Sequence, residues 1–217
     1  MPTALRLRTI VSAPFEENSY VVGRESGNEV VVIDPGFEPD LILEFVRDEG
    51  LNVVGILNTH GHADHIAGNT MLKEAFPEAP LIIGHGDAPM LTNPELNLSA
   101  SFGLEVVSPP ADRLVTEGET VDIAGLELSV LEIPGHSPGH VVFVYRGLQT
   151  VVFGGDVLFR GSIGRTDFPG GSFETLARGI RQKLWILPAE TVVYPGHGPA
   201  TTIGHERLMN PFVAGDS

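Results

Sequence analysis

The chain has no cysteine and few basic residues, and each shortage excludes certain kinds of site or partner. Without cysteine it can build neither a disulfide framework nor a thiolate metal site, which fits a reducing compartment. Lys and Arg number 13 against 28 Asp and Glu, so the formal net charge is −15. This excess of negative charge argues against nucleic acid or an anionic membrane surface as the main partner.

Long apolar runs are also missing. The stretch Met1 to Arg6 lacks the apolar core of a secretory signal peptide, and no run reaches membrane-spanning length. We therefore expect a cytoplasmic protein with no membrane partner; the sequence does not indicate its oligomeric state. With 42% hydrophobic and 19% charged residues, the chain is predicted to form one globular domain over positions 1–217.

Hydrophobic periodicity predicts two similar sets of strands and helices. Strands are expected over 5–10, 18–22, 29–33, 53–58, 81–84, 120–123, 126–131, 140–145, 150–153 and 191–194. Helices are expected over about 39–50, 64–75, 173–184 and 203–209. Residues 87–118 contain several prolines and little periodicity, which indicates a loop-rich segment suited to a lid or substrate wall. Periodicity alone predicts only a mixture of α and β structure in which two sheets are possible.

Three of the eight histidines fall within the hexapeptide from His60 to His65, which directly follows an apolar run. In an extended strand His60 and His62 would point to the same side. Asp64 and His65 come one turn later, where a helix can begin. Imidazole and carboxylate are the ligands that borderline divalent metals prefer, so the hexapeptide predicts a metal site.

Three further candidate ligands follow or close short β-branched runs that end in Gly or Pro. They are His136 in Ile-Pro-Gly-His, Asp156 in Gly-Gly-Asp and His197 in Tyr-Pro-Gly-His. This is the pattern of strands that deliver ligands from one edge of a sheet. His85 lacks a spaced partner and is expected to be an ordinary exposed histidine.

These motifs together resemble those of the metallo-β-lactamase superfamily of hydrolases, and more narrowly its glyoxalase II-like branch. The matching features are His-x-His-x-Asp-His, Pro-Gly-His-Ser-Pro-Gly-His, Gly-Gly-Asp and Tyr-Pro-Gly-His-Gly, and they span nearly the whole chain. The resemblance implies an α+β fold, the αββα four-layer sandwich, with the site where the edges of the two sheets meet.

The resemblance also implies a pair of divalent metal ions with seven ligands. One ion would take His60, His62 and His136, the other would take Asp64, His65 and His197, and Asp156 would bridge them. Zinc is favoured, and iron(II) or manganese would also suit this donor set. A hydroxide between the metals, oriented by the catalytic Asp64, would attack a small-molecule thioester such as S-2-hydroxyacylglutathione.

Other positions refine the resemblance. Asp34 could be a turn former, or it could orient a ligand histidine. Arg165 stands where glyoxalase II has a glutathione-binding Lys, and it could grip a substrate carboxylate or form a structural salt bridge with Asp167. An aspartate at position 156 is typical of thioester, lactone and phosphodiester hydrolases rather than β-lactamases. Because the sequence stops at Ser217, we expect the short bacterial form without the C-terminal glutathione-binding extension.

Two alternatives stay open at this point. A persulfide dioxygenase shares the hexapeptide motif and would hold a single iron through His60, His136 and Asp156. A metal-binding scaffold that has lost turnover would keep the ligands without the activity. The intact set of seven candidate ligands favours the hydrolase over both.

Overall fold

The computed structural model describes residues 4–214. Residues 1–3, part of the stretch expected to lack a signal peptide, and residues 215–217 lie outside the described residues. Among the helices of residues 4–214, none is both long enough and apolar enough to cross a membrane.

The first half of the chain forms a six-stranded sheet whose spatial order follows the sequence. Its strands are β1 (Leu5–Ser12), β2 (Glu17–Arg24), β3 (Glu29–Ile33), β4 (Asn52–Asn58), β5 (Leu81–Gly84) and β6 (Arg113–Val115). The pairs β1–β2 and β2–β3 are antiparallel, and the pairs from β3 to β6 are parallel. The carboxyl ends of β3, β4 and β5 therefore lie at the same edge of this sheet.

The second half forms another six-stranded sheet and a short hairpin. The strands are β7 (Thr120–Ile123), β8 (Leu126–Glu132), β9 (Val141–Arg146), β10 (Thr150–Gly155), β11 (Leu158–Phe159), β12 (Ser162–Ile163), β13 (Val192–Pro195) and β14 (Thr201–Thr202). The sheet order is β14-β13-β10-β9-β8-β7, and β11 pairs with β12. Because β10 and β13 are parallel, their carboxyl ends also lie side by side.

Helices cover the outer face of each sheet. They are α1 (Pro39–Asp48), α2 (Ala63–Ile66), α3 (Asn69–Ala75), α4 (Phe173–Gly179) and α5 (Ile203–Met209), with 3-10 helices over His85–Thr92 and Ser99–Phe102 and a π-helical turn over Ile180–Leu184. Helix α1 buries Ile42 and Val46, and Ser172 caps α4 by accepting a hydrogen bond from the Thr175 N–H.

Three apolar clusters fill the spaces between these layers. The first joins the two sheets and includes Leu57, Phe143 and Phe153, each 0% exposed. The other two lie between each sheet and its own helices, around Ile42 and Leu176 respectively. Burying one such side chain contributes roughly 1.5–3 kcal/mol, so the three layers of contact stabilise the stack. The predicted αββα sandwich of the α+β class is confirmed, while the single domain over 1–217 stays a prediction.

The helix predicted over 64–75 is interrupted at Gly68. The Gly68 N–H donates to the Pro35 carbonyl at 2.9 Å, and a Cβ here would lie 2.9 Å from the Gly36 carbonyl oxygen. This close backbone approach divides the predicted helix into α2 and α3. The segment 87–118 contains more regular structure than predicted. It includes most of the 3-10 helix His85–Thr92, all of the 3-10 helix Ser99–Phe102 and the edge strand β6. Three residues of β6 are too few to show a periodicity.

Candidate metal centre

The hexapeptide lies where β4 ends and α2 begins. His62 is extended, with φ −69° and ψ 151°, and the helical turn starts at Ala63. The ring nitrogens His60 Nε2 and His62 Nδ1 are 3.0 Å apart, and His62 Nδ1 is 2.9 Å from His136 Nε2. All three side chains are buried. Their three ring nitrogens lie within 4.8 Å of one another, so they could hold one metal ion.

A second group forms beside the first from Asp64, His65 and His197. His197 Nε2 lies 3.3 Å from Asp64 Oδ2, and His65 Nε2 lies 3.7 Å from the same oxygen. These three ligand atoms also lie within 4.8 Å of one another. His197 reaches this position because the two sheets meet there: Asn18 N donates to the Gly196 carbonyl at 2.7 Å, and Glu17 bridges to His197.

Asp156 lies between the two groups. Its Oδ2 is 3.4 Å from His136 Nε2 in the first group and 3.7 Å from His197 Nε2 in the second. Its Oδ1 is 3.6 Å from His65 Nε2. The structure thus brings together all seven residues that the sequence singled out, with the aspartate in a bridging position.

In three of the candidate histidine ligands, a contact at Nδ1 leaves Nε2 facing the candidate metal centre. His136 Nδ1 donates to the Arg165 carbonyl at 2.8 Å, and His197 Nδ1 donates to the Phe15 carbonyl at 3.1 Å. His65 Nδ1 lies 3.1 Å from Asp34 Oδ2. A ring that donates through Nδ1 leaves the Nε2 lone pair free for a metal.

Asp34 is positioned at the end of β3 to orient the candidate ligands. Besides contacting His65, its carboxylate accepts hydrogen bonds from the Thr59 N–H at 2.7 Å and the Thr59 hydroxyl at 2.6 Å. The Thr59 oxygen in turn lies 3.1 Å from His60 Nδ1. Asp34 therefore contacts the His65 ring directly and the His60 ring through Thr59, and both contacts suit a residue that orients candidate ligands rather than a simple turn former.

Burial and charge divide the histidines into two kinds. Burial lowers the pKa of His60 well below its ordinary value and that of His62 to about 3, so both rings are neutral at pH 7. Burial also opposes charge on His65, but Asp64 and Asp156 outweigh it and raise the pKa of His65 well above its ordinary value. Burial likewise raises the pKa of Asp64, yet His65 and His197 hold it well below the usual range. The carboxylates of Asp64 and Asp156 therefore favour positive charge beside them, from a protonated histidine or a metal ion.

Two buried polar atoms without hydrogen-bond partners also indicate that the site suits divalent metal ions. His65 Nε2 and Asp156 Oδ1 are buried and have no hydrogen-bond partner among the described residues. Buried polar atoms in native proteins nearly always have one. Both atoms point between the groups, where a cation would satisfy them and balance the carboxylates. Imidazole nitrogen with carboxylate oxygen suits zinc, iron(II) or manganese, and the donor set does not choose among them.

Two buried residues at this centre were not predicted as part of it. His140 stacks on His60 with ring centroids 4.7 Å apart, and its Nε2 accepts a hydrogen bond from the Asp156 N–H at 3.0 Å. Asp87 accepts from the Gly61 N–H, the Ser137 hydroxyl and the Gly139 N–H. The repeated Pro-Gly-His within 134–140 was a signal for His140, whereas nothing in the sequence marks Asp87.

Arg165 lies at the rim rather than in the centre. Its guanidinium makes two hydrogen bonds to Asp167, at 3.0 and 2.8 Å, and lies 4.3 Å from the centre of the Phe168 ring. The salt-bridge alternative is therefore present in the structure, while contact with a substrate stays a prediction. His85 is exposed, as predicted, and belongs to none of the candidate metal groups among the described residues.

A cavity of about 420 Å³ opens onto the centre. Its floor includes His62, Asp64, His136, Asp156 and His197. Segment 87–118, predicted as a lid or substrate wall, contributes lining residues between 97 and 104. A small molecule in this cavity would lie directly against both groups of candidate ligands.

Comparison with known proteins identifies the family of the chain. Residues 13–197 match the Metallo-beta-lactamase superfamily. A curated relative from Haemophilus influenzae, named hydroxyacylglutathione hydrolase GloC, is 36% identical over 212 residues and covers 96% of this chain and 98% of its own length.

Two solved structures are similar along nearly their whole length. One, described as the BLEG-1 B3 metallo-beta-lactamase, has a TM-score of 0.92 and 37% identity and covers 97% of this chain and 100% of its own. Another, TTHA1623 in a di-iron-bound form, has a TM-score of 0.81 and 39% identity and covers 94% of this chain and 99% of its own. By its matched domain, its fold and its candidate metal centre, the chain belongs to the metallo-β-lactamase superfamily of metal-dependent hydrolases.

Proposed function

We propose that this protein hydrolyses a small-molecule thioester, of a kind resembling S-2-hydroxyacylglutathione, at a centre of two divalent metal ions. The observation that supports this most is the position of Asp156, whose two oxygens face histidines of both groups at 3.4–3.7 Å. A carboxylate shared in this way is suited to two cations rather than one.

The seven residues divide into two sets and a bridge. His60, His62 and His136 would hold one ion, Asp64, His65 and His197 would hold the other, and Asp156 would be shared between the two sets. Bound divalent ions supply Lewis acidity at the thioester carbonyl and lower the pKa of water from 15.7 to about 7. Zinc is the favoured metal. Iron is the alternative, because the similar protein TTHA1623 has been described in a di-iron-bound form.

Asp64 has a second role at the floor of the cavity. Its side chain is 20% exposed, unlike the fully buried His65, so it can reach a water molecule as well as a metal. Because neighbouring histidines hold the pKa of Asp64 well below its usual range, the carboxylate stays ionised and can accept a hydrogen bond from that water. These properties support Asp64 as the residue that would orient the attacking water.

Support for a thioester as substrate comes from the relatives. GloC, at 36% identity, is named as a hydroxyacylglutathione hydrolase. BLEG-1, at 37% identity, is named as a β-lactamase, so a β-lactam belongs in the substrate panel. The persulfide dioxygenase alternative needs only His60, His136 and Asp156. Asp64 and His65 both lie within 3.7 Å of another candidate ligand, which favours the second metal.

One experiment combines metal analysis with a substrate panel. The purified protein, loaded in turn with zinc, iron(II) and manganese, is assayed on S-lactoylglutathione, simple acyl thioesters, a chromogenic cephalosporin and, in an oxygen electrode, glutathione persulfide. We expect thioester hydrolysis with two metal ions per chain by mass spectrometry. Full activity with one ion, or oxygen uptake with persulfide as the main activity, would overturn the proposal, and metal binding without any turnover would support the inactive scaffold.

A pair of histidine variants supplies the control. His62→Ala removes a buried candidate ligand and is expected to lower metal content and hydrolysis together. His85→Ala removes an exposed histidine outside both groups and should leave both unchanged. If the two variants behave alike, His62 is not a ligand.

A further inference from the structure

Aromatic side chains dominate the cavity above the candidate metal centre. Five of the eleven phenylalanines of the chain line this one cavity, although they come from separate segments. They are Phe15, Phe37, Phe102, Phe159 and Phe168. Such a concentration of large apolar rings at the mouth of a polar centre is characteristic of a site that binds an apolar group.

Three of these rings form a continuous wall, which we call the aromatic wall: Phe15, Phe37 and Phe102. The centroids of Phe15 and Phe37 are 5.6 Å apart, and Phe102 packs edge-on against Phe15 at 5.5 Å. Phe102 nevertheless remains 60% exposed. The wall adjoins the centre directly, because the Phe15 carbonyl accepts the hydrogen bond of His197. An exposed ring so close to candidate ligands is available to a substrate.

The segment that presents Phe102 is held in place by hydrogen bonds within the protein. The Asn97 side chain donates to the Met90 carbonyl at 3.1 Å and the Val106 carbonyl at 2.9 Å. The Asn97 carbonyl accepts the Ala63 N–H at 3.0 Å, which connects the wall to the hexapeptide. Next to it, Leu98 lines the cavity with φ +68°, a conformation uncommon for leucine. Backbone strain of this kind is kept where the surrounding structure requires it, often at ligand sites.

The polar side chains of the cavity, apart from the candidate ligands, are already engaged. Asn97 is bonded to the loop backbone, and Ser99 Oγ accepts the Val106 N–H at 3.1 Å. The cation that lines the cavity, Arg165, makes two hydrogen bonds to Asp167. Among the described residues that line the cavity, the one side-chain cation is therefore already paired with a carboxylate. The net charge of −15 adds a general repulsion of anions.

We propose that the substrate is a thioester with an uncharged apolar arm of at least about the size of a phenyl ring or hexyl chain, and that Leu98 and Phe102 select it. The proposal rests on thioester hydrolysis as the proposed function and specifies its substrate class. Within the thioesters of the proposed function, it ranks those with an uncharged apolar arm above glutathione thioesters, whose carrier has two carboxylates. Each added methylene that the aromatic wall buries is expected to raise kcat/KM by about fourfold until the cavity is full.

The kinetic test compares two series of substrates on the metal-loaded protein. In one, the acyl group on neutral N-acetylcysteamine grows from acetyl through butyryl to hexanoyl and phenylacetyl. In the other, the acetyl group stays fixed and the thiol changes from glutathione to butanethiol and benzyl mercaptan. We expect kcat/KM to increase with apolar size in at least one series. A flat or falling dependence in both, with glutathione thioesters preferred, would overturn the inference and leave the hydrolase intact.

Two variants of cavity residues and one variant outside the cavity test which side chains select the apolar arm. Phe102→Ala removes an exposed ring, and Leu98→Asn replaces the apolar side chain with a residue that tolerates positive φ. In both, the preference for the largest apolar arm over the smallest should fall by about tenfold, since the area that excludes water is smaller. Leu148→Ala changes a 68% exposed leucine outside the cavity and should keep the wild-type preference. An unchanged preference in both cavity variants would contradict the assignment of Leu98 and Phe102.

A binding measurement keeps the test independent of turnover. Thioether analogues, S-methyl, S-hexyl and S-benzyl N-acetylcysteamine, cannot be hydrolysed, and calorimetry reports their Kd. We expect the S-hexyl and S-benzyl compounds to bind at least about tenfold more tightly than the S-methyl compound, and less so in Phe102→Ala. If no thioester is hydrolysed but this order holds, the hydrolase proposal fails and the apolar subsite stands. Equal or absent binding would remove the subsite.

Discussion

The Asp87 carboxylate accepts a 2.5 Å hydrogen bond from the Ser137 hydroxyl, and this contact holds the 3-10 helix His85–Thr92 against the loop that carries His136. The same side chain accepts the Gly139 N–H at 2.5 Å and the Gly61 N–H at 3.1 Å. Gly61 lies between His60 and His62, and Ser137 follows His136. One buried acid therefore fixes the distance between the hexapeptide and the third histidine of the first group.

Replacing Asp87 by Ala is expected to destabilise the protein and weaken its first metal group. Three buried donors would lose their acceptor, at roughly 1–3 kcal/mol each where water cannot enter. We expect the free energy of unfolding to fall by roughly 2–5 kcal/mol in guanidinium titrations, and metal content to fall with it. Asp122→Ala, at an exposed position in β7, is the control. Loss of metal without loss of stability would mean that Asp87 does not hold the two loops together.

Replacing Asp34 by Asn tests the orientation of His65. The amide still accepts the Thr59 N–H and tolerates the positive φ of +50°, but it no longer supplies a carboxylate to His65 Nδ1. Metal affinity at the second group should then fall by about 10–100-fold, the usual effect of losing such an outer partner. A competitive titration with a chromophoric chelator should show a larger loss of affinity at one step than at the other, because Asp34 contacts His65 directly but reaches His60 only through Thr59. Two unchanged steps would exclude an orienting role for Asp34.

The seven candidate ligands were predictable because each is marked by its own stretch of chain. The hexapeptide follows an apolar strand, and Asp156 and His197 follow β10 and β13. Adjacent parallel strands bring such residues to one edge, so local patterns together with the family resemblance were sufficient to group them.

The surroundings of these ligands were not predictable in the same way. Asp87 and Asn97 act through hydrogen bonds to residues as far as 52 positions away, which no local pattern encodes. Phe15 and Phe102 lie 87 positions apart in sequence (102 − 15), and only the folded loops bring their rings to 5.5 Å. The break at Gly68 likewise depends on contact with the distant Pro35 carbonyl. Tertiary packing decides all of these features.

Acid is expected to destabilise the protein through His62 once metal has been removed by chelation. The folded-state pKa of His62 is about 3, below its ordinary value of 6.5, because of burial. A histidine with a lowered pKa contributes stability above pH 6.5 that is lost as the pH falls toward 3, at up to about 1.4 kcal/mol per pH unit. Burial raises the pKa of Glu17 well above its ordinary value, which acts in the opposite direction.

A comparison with His62→Asn isolates this contribution, because Glu17 is the same in both proteins. Guanidinium unfolding of the chelated proteins at pH 6.5 and pH 4.5 should show wild type losing about 2–3 kcal/mol more than the variant. Parallel losses in the two proteins would mean that His62 is protonated equally in the folded and unfolded states.

Gly154 and Gly155 both precede Asp156, and an alanine at each tests whether activity depends on the position of the Asp156 carboxylate or on the stability of β10 in general. Gly155 has φ +46°, and a Cβ there would overlap the Thr59 hydroxyl and lie 2.8 Å from His140 Nε2. Gly155→Ala must therefore displace the strand end that delivers Asp156, and a shift of about 1 Å can cost about 100-fold in rate. At Gly154 the nearest atom to an added Cβ is Val193 Cγ1 at 3.2 Å, so Gly154→Ala should cost less than about tenfold. Thioester kcat and bound metal per chain are the measurements, and equal rates in the two variants would show that the approach of Gly155 to Thr59 does not control the bridge.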